Sequence, residues 1–286
     1  MPMRAIGKDM PSPAARGLET VAPGEVLGRI GTLEVRLARD ETEIAAAQEV
    51  RYRVFYDELG ARGNMLQQRD ADHFDSICDH LLVFDTTLPG PDPRRIVGTY
   101  RLLRQEIAAS AGGFYSTDEF ELESLVARHS ERRFLELGRS CVLPDYRSKR
   151  TVELLWQGIW AYCRRHGIDV MTGCASFPGV FPAAHARALS YLAHNFRAED
   201  AWRVRAVPSR YQTMDLMPAE AIDSRAAMAE LPPLIKGYLR VGARFGEGCV
   251  VDADFHTTDV FVVLPVEWIA GRYINYYGAD AQRFAA

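Results

Sequence analysis

The sequence has no paired-cysteine motif and no long apolar run, and each absence removes a class of protein. Its five cysteines, Cys78, Cys141, Cys163, Cys174 and Cys249, are scattered without a CxxC pair. An odd number at such spacings does not make a secreted disulfide framework. No apolar stretch approaches the roughly 18 to 20 residues that a membrane-spanning helix needs, and the N-terminus lacks the apolar core of a signal peptide. The expectation is a soluble protein of a reducing cytoplasm, at most peripheral to the inner membrane. There is no excess of positive charge either: 34 Lys and Arg face 38 Asp and Glu, a net charge of -4. No nucleic-acid partner is expected, and any acidic partner must be met by a local basic patch. What is present, 286 residues at 48% hydrophobic and 25% charged, suffices for one sizeable core.

Residues 1–28 are rich in Pro, Gly, Ala and Ser without an apolar period and read as a disordered leader. From Leu33 the pattern becomes structural, because Leu33, Val35 and Leu37 alternate with polar residues as in a half-buried strand. Asp40 and Thr42 then offer cap oxygens to a helix carrying Ile44, Ala47, Val50, Val54 and Phe55, and Gly60 stops it. A polar loop over 63–79 precedes two strands, 80–85 and 95–103, joined as a hairpin. A short helix over 118–127 and a strand over 133–143 follow. The clearest helix places Val152, Leu155, Trp156, Ile159 and Cys163 on one stripe and ends at Gly167. A buried strand over 170–177, helices opened by Pro182 and Pro233, and closing strands over 250–255 and 260–263 complete the chain. This succession predicts a single mixed α/β (α+β) domain over 29–286, with a C-terminal extension and no internal repeat.

Four short patterns carry the chemistry: Arg51 with Phe55 on a helix, Asp72 with Asp75 in a loop, Gly98 with Arg101 on a strand, and Glu136 with Arg139 on a later strand. Taken singly they describe a solvated helix face, loop caps and ion pairs on a sheet rim. In this order and at these spacings they resemble the autoinducer (acyl-homoserine-lactone) synthases, whose Arg-x-x-x-Phe, Asp-x-x-Asp, Gly-x-x-Arg and Glu-x-x-Arg motifs match here. That resemblance covers residues 33–180 and implies a GNAT acyltransferase fold, a mixed central sheet flanked by helices. It departs after Leu59-Gly60, where Ala61 stands in place of the Trp that helps those enzymes hold S-adenosylmethionine. The C-terminal half, Pro232 to Arg240 with Asp252, Asp254, Phe255 and Thr258 to Phe261, is similar to the ornithine lipid synthases, the L-ornithine N-α-acyltransferases.

The second resemblance implies transfer of a fatty acyl group, 3-hydroxylated in that family, from acyl carrier protein to the α-amine of ornithine. It also implies a 4'-phosphopantetheine thioester of acyl carrier protein as co-substrate, with no bound cofactor expected. Acyl transfer to an amine needs a proton acceptor and donors for a developing oxyanion. Glu136 is the candidate base, its pKa raised by burial; the alternative is a structural carboxylate paired with Arg139. Residues three apart on a regular strand face opposite ways, so a bulge at Gly138 is required to bring Glu136 and Arg139 into one cleft. Asp72 and Asp75 would meet the cationic ends of ornithine, or form a network with Arg51 and Arg101. Arg51, Arg101 and Arg139 are the cations available to its α-carboxylate.

Arg147, Lys149 and Arg150 precede the helix that begins near Thr151. Cations there oppose the helix dipole, which calls for a compensating anion. The turn keeps the arginine of the GNAT pyrophosphate loop without its small residues, which fits the single phosphate of a phosphopantetheine arm and an acidic carrier surface better than coenzyme A. An apolar tunnel for the acyl tail would draw on Phe177, Val180, Phe181 and Leu189. His80, His166, His185 and His194 lack metal spacing, so no metal site is expected. Cys141, Cys163 and Cys174 read as core residues. The rival readings are the same chemistry on glycine, glutamine, lysine or S-adenosylmethionine, and a non-catalytic acyl-carrier-binding module.

Overall fold

The computed structural model describes residues 20–62 and 68–269. Residues 1–19 of the expected leader, 63–67 of the polar loop and 270–286 of the C-terminal extension lie outside the described residues. Eight strands form one sheet: β1 (Val26–Ile30), β2 (Leu33–Leu37), β3 (Asp79–Asp85), β4 (Ile96–Arg104), β5 (Phe134–Val142), β6 (Val170–Pro178), β7 (Arg244–Asp252) and β8 (Thr257–Pro265). Their order is β1-β2-β3-β4-β5-β6-β8-β7. Every pairing is antiparallel except β5 with β6. Helices α1 (Glu41–Tyr52), α2 (Gln105–Ser110), α3 (Leu122–Arg128), α4 (Lys149–His166), α5 (Ala186–Asn195), α6 (Ser224–Glu230) and α7 (Pro233–Val241) complete the mixed α/β fold that the sequence predicts.

Asp40 caps α1 by accepting from the backbone N–H groups of Thr42 and Glu43 at 2.9 and 3.1 Å. The helix loosens into a π-helical segment, Arg53–Glu58, before Gly60 ends it with φ 76°. Helix α4 lies across β1, β2 and β3. Its Leu154, Leu155, Ile159 and Cys163 are buried, and each such aliphatic side chain contributes about 1.5–3 kcal/mol of burial. Gly158 sets how closely the helix approaches, because a Cβ there would stand 2.9 Å from Val35 Cγ2. Val152, expected on the same stripe, is exposed, although Thr151 beside it in the first turn is buried.

Three further differences from the sequence reading are positional. Strand β1 starts at Val26, inside the stretch read as leader, and Val21 and Leu27 are buried; a five-residue edge strand offers too little alternation to stand out against its Pro- and Gly-rich surroundings. The helix expected over 118–127 begins only at Leu122, and α2 was not anticipated. Phe255 sits in the β7–β8 turn rather than on a strand. No helix among the described residues is long and apolar enough to cross a membrane.

Candidate active site

The sheet forks at Glu136. Strands β5 and β6 pair through Phe134 with Val170, Leu135 with Met171 and Glu136 with Thr172. Beyond that point β6 follows β8 as far as Pro178, while β5 stays with β4. Gly173 stands where the strands part, and a Cβ there would collide with the Leu137 carbonyl oxygen. The expected bulge is present one residue later than Gly138. Pairing is regular where Gly138 faces Arg101, and Arg139 and Ser140 together oppose Tyr100. The left-handed residue is Arg139 itself, with φ 49°, a conformation that costs a non-glycine residue on the order of 1–3 kcal/mol.

The fork opens a cavity of about 240 Å³, whose walls include Glu136, Arg139, Tyr115, Cys174, Asp252 and Asp259. Phe55 also lines it, carried there by the π-helical turn and packed edge-on against Phe255 at 5.7 Å. Glu136 and Arg139 therefore share one cleft, as the sequence predicts, although they do not pair with each other. Arg51, Arg101, Asp72 and Asp75 stand behind the wall.

Those residues, with Arg139 and Asp70, form a network of three arginines and three aspartates. Arg51, wholly buried, holds Asp75 at 2.9 Å and lies 2.8 Å from Asp70. Arg101 donates to Asp72 at 2.6 Å and to Asp75 at 3.4 Å. Arg139 donates to Asp70 at 3.1 Å and to Asp72 at 3.3 Å, with its guanidinium 4.3 Å from the Phe255 ring centre and 4.7 Å from that of Tyr115. Asp72 also caps the short 3-10 helix His73–Ser76 through Phe74 N–H at 2.9 Å. Burial alone would raise the Asp75 pKa, but the charges of Arg51 and Arg101 outweigh it and hold the group below its ordinary value. Burial lowers the pKa of His80, whose Nε2 lies 2.9 Å from the Asp75 carbonyl oxygen. Asp72 and Asp75 thus form the network alternative, and Asp70, which no motif marked, is its third carboxylate.

Glu136 is buried, and its two oxygens accept from the backbone N–H groups of Tyr115 and Ser116 at 2.7 and 2.9 Å. The alternative of a Glu136–Arg139 ion pair is corrected: those peptide groups take the place of the guanidinium. Burial raises the Glu136 pKa, and the two backbone bonds oppose the rise. The same segment carries Glu119, which meets Asp252 and Asp259 of the cavity lining; one carboxylate oxygen from each lies within 4.8 Å of the others. Asp252 and Asp259 belong to the C-terminal segments that stand out in the sequence, whereas Glu119 and Tyr115 lie in a stretch with no signal.

The basic turn is partly neutralised by the protein. Arg147 makes a two-pronged bond to Glu58 at 2.5 and 2.6 Å, beside Leu59 of the cavity rim. Lys149 pairs with Glu153 at 3.2 Å while staying 87% exposed, and Arg150 is exposed. The compensating anions expected at this helix start are therefore supplied in part by Glu58 and Glu153. The expected tunnel residues fall elsewhere: Phe177 and Leu189 are core, Phe181 is 72% exposed, and the cavity meets Leu234 of α7 instead. Cys141 and Cys163 are buried as expected, but Cys174 reaches the cavity, where burial followed by the charge of Glu119 holds its thiol well above the ordinary value. A protonated thiol is no nucleophile.

A sheet that forks around a bulged strand, with a carboxylate and a guanidinium on the walls of the gap, matches what direct acyl transfer requires. Residues 50–157 match the acetyltransferase (GNAT) domain family, so this part of the chain is a GNAT domain. It is 63% identical over 262 residues to the L-ornithine N(alpha)-acyltransferase of Brucella abortus (strain 2308), covering 91% of this chain and 93% of that protein. It is 61% identical over 267 residues to the protein of the same name from Rhizobium meliloti (strain 1021), covering 92% and 90%. The chain belongs to the L-ornithine N(alpha)-acyltransferase family. Among solved structures, the acyl-homoserine-lactone synthase LasI overlaps at a TM-score of 0.47 and 11% identity, over 87% of this chain and 96% of that one.

Proposed function

We propose that this enzyme transfers a 3-hydroxyfatty acyl group from acyl carrier protein to the α-amine of L-ornithine, giving lyso-ornithine lipid. The observation that carries the reading is the forked sheet, with Glu136 and Arg139 on the walls of one cavity, in a chain 63% identical to a protein of that name. The thioester enters the fork, where among the described residues β5 past Glu136 is no longer paired with β6; backbone N–H groups freed there meet the developing oxyanion. The neutral amine attacks the carbonyl carbon. A C–N bond forms, Glu136 takes the amine proton, the C–S bond breaks, and the departing pantetheine thiolate receives that proton. Of the three arginines considered for the α-carboxylate, Arg139 alone is on the cavity wall.

The carrier protein docks by charge on the exposed Lys149 and Arg150, with Arg147 held on Glu58 at the rim. The product is a lipid, so it leaves through transient contact with the inner membrane face. Expression in a host that lacks aminolipids, followed by mass spectrometry of its lipids, tests the whole reaction. A mass matching hydroxyacyl-ornithine is expected; acylation of another amine, or none, would overturn it.

A further inference from the structure

Around the cavity-lining Asp252 and Asp259, the protein holds more negative charge than it neutralises. Glu119, Asp252 and Asp259 bring one oxygen each to within 4.8 Å of the others. Arg210, 3.0 Å from Glu119, is the cation paired with the cluster. The second observation is on Asp259 itself: the residue is only 7% exposed and its Oδ1 has no hydrogen-bond partner, although it borders the cavity. A buried carboxylate oxygen left unbonded costs free energy that a ligand donor would recover.

We propose that Glu119, Asp252 and Asp259 form a subsite for the side-chain ammonium of the acceptor, and so select a diamino acid over an apolar one of the same length. This assignment rests on the acceptor reading above and adds the residues that choose it. The geometry fits an ammonium group. A point common to three atoms spaced at 4.8 Å lies no more than about 2.8 Å from each, the length of a charge-assisted N–H···O bond. An –NH₃⁺ group has three donors, one for each carboxylate. Asp252 has one oxygen committed, since Oδ1 accepts from the N–H groups of Asp254 and Phe255 at 2.8 and 2.9 Å. Glu136, Asp252 and Asp259 line the same 240 Å³ cavity, so the α-amine meets the thioester beside Glu136 while the cluster holds the distal amine. That separation directs acylation to one of two chemically similar amines.

The charge environment agrees. Burial, then the charge of Asp259, raises Glu119 to about 7. Burial raises Asp259 to about 6, with Ser176 opposing and Asp252 adding to the rise. Arg210, Arg139, Tyr115, Cys174, Cys249 and Glu136 are other charged or titratable groups near the pair. An arriving ammonium stabilises both carboxylates as anions, so binding releases protons near pH 6 to 7.

The test uses the full chain, treated with a chelator, and two acceptors: L-ornithine and L-norvaline, which lacks only the distal amine. Calorimetry in two buffers reads affinity and proton release, and acylation assays with acyl carrier protein thioester read kcat/KM. The wild type should bind ornithine with proton release and prefer it over norvaline. In Asp259→Asn and Asp252→Asn, the second of which keeps the turn-capping oxygen, the ornithine-to-norvaline ratio of kcat/KM should fall about 10- to 100-fold, the loss of one charged hydrogen bond. Equal use of both acceptors by the wild type would overturn the subsite while leaving the acyltransferase reading intact. Ornithine binding without acyl transfer would leave the subsite standing and remove that reading. Binding that requires added Mg²⁺ or Mn²⁺ would overturn the ammonium assignment in favour of a metal site.

Discussion

Arg139 Nε donates to Asp70 Oδ2 at 3.1 Å, and that oxygen also lies 2.8 Å from Arg51 Nε. A single carboxylate thus ties the bulged strand to the helix that delivers Phe55, and helps hold Arg139 in its left-handed conformation. Replacing Asp70 with Asn keeps the shape and leaves two buried guanidinium groups short of a counter-charge. Breaking a buried pair costs about 3–5 kcal/mol, so the unfolding midpoint should drop by roughly 6–15 °C, with kcat falling as Arg139 relaxes. Thermal melts followed by circular dichroism read the first effect; a midpoint within a degree of wild type would remove the structural role given to this network.

Much of this arrangement was legible in the sequence, and the illegible parts share a cause. The strand periods, the Asp40 cap and the Gly167 stop are local, so they can be read without the fold. Glu136 and Arg139 were readable as partners in one cleft because their three-residue spacing demands a bulge, yet not the exact bulge position, since glycine at 138 drew attention from the strained residue beside it. Asp70, Glu119 and Arg210 lie in irregular segments whose side chains acquire meaning only through distant partners. Asp252 and Asp259 were visible as part of a family pattern, and only the closure of β7 on β8 and of the 115–119 segment onto them reveals what they surround. The apolar residues Phe177 and Leu189 misled as tunnel walls because hydrophobicity alone does not separate a core from a cavity lining.

Glu136→Gln retains one acceptor for the Tyr115 and Ser116 N–H groups but cannot take a proton. General-base loss of this kind lowers kcat by about 10²–10⁴-fold, with KM for the amine changed far less. Because burial raises the Glu136 pKa, the rising limb of kcat against pH should lie above the ordinary glutamate range in the wild type, and it should vanish in the variant. A variant within threefold of wild type at every pH would assign Glu136 to anchoring the 115–116 turn alone.

Exposed Lys149 and Arg150 bear on the carrier protein rather than on the chemistry. Charge reversal at both, Lys149→Glu with Arg150→Glu, should raise KM for acyl carrier protein about tenfold while the melting midpoint stays close to wild type, as exposed charges contribute under about 1 kcal/mol. Raising the salt from roughly 0.05 to 0.3 M should weaken the wild-type interaction and leave the variant nearly unaffected, since surface charges are screened over about a Debye length. Steady-state kinetics with purified acyl carrier protein across that salt range decides; a salt-independent KM in the wild type removes the electrostatic docking surface.

Stability should itself depend on pH through the acidic wall. Glu119 and Asp259 titrate at about 7 and about 6 in the folded protein, raised from ordinary values of 4.5 and 3.8. Between those limits the folded state holds protons that the unfolded chain has released, so the derivative of unfolding free energy with pH is negative for these groups. Their contribution is fully present below about pH 4 and is lost as pH rises through 6 and 7, where Glu119 and Asp259 both become anions beside Asp252 and Arg210 is the cation paired with Glu119. The double variant Glu119→Gln with Asp259→Asn removes this term while other titrations continue. The wild-type melting midpoint minus that of the variant should therefore fall between pH 5 and pH 8, and saturating L-ornithine should restore it at pH 8 by binding the folded state alone. A difference that stays flat with pH would mean that the two carboxylates are solvated and that the cavity wall carries no unbalanced charge.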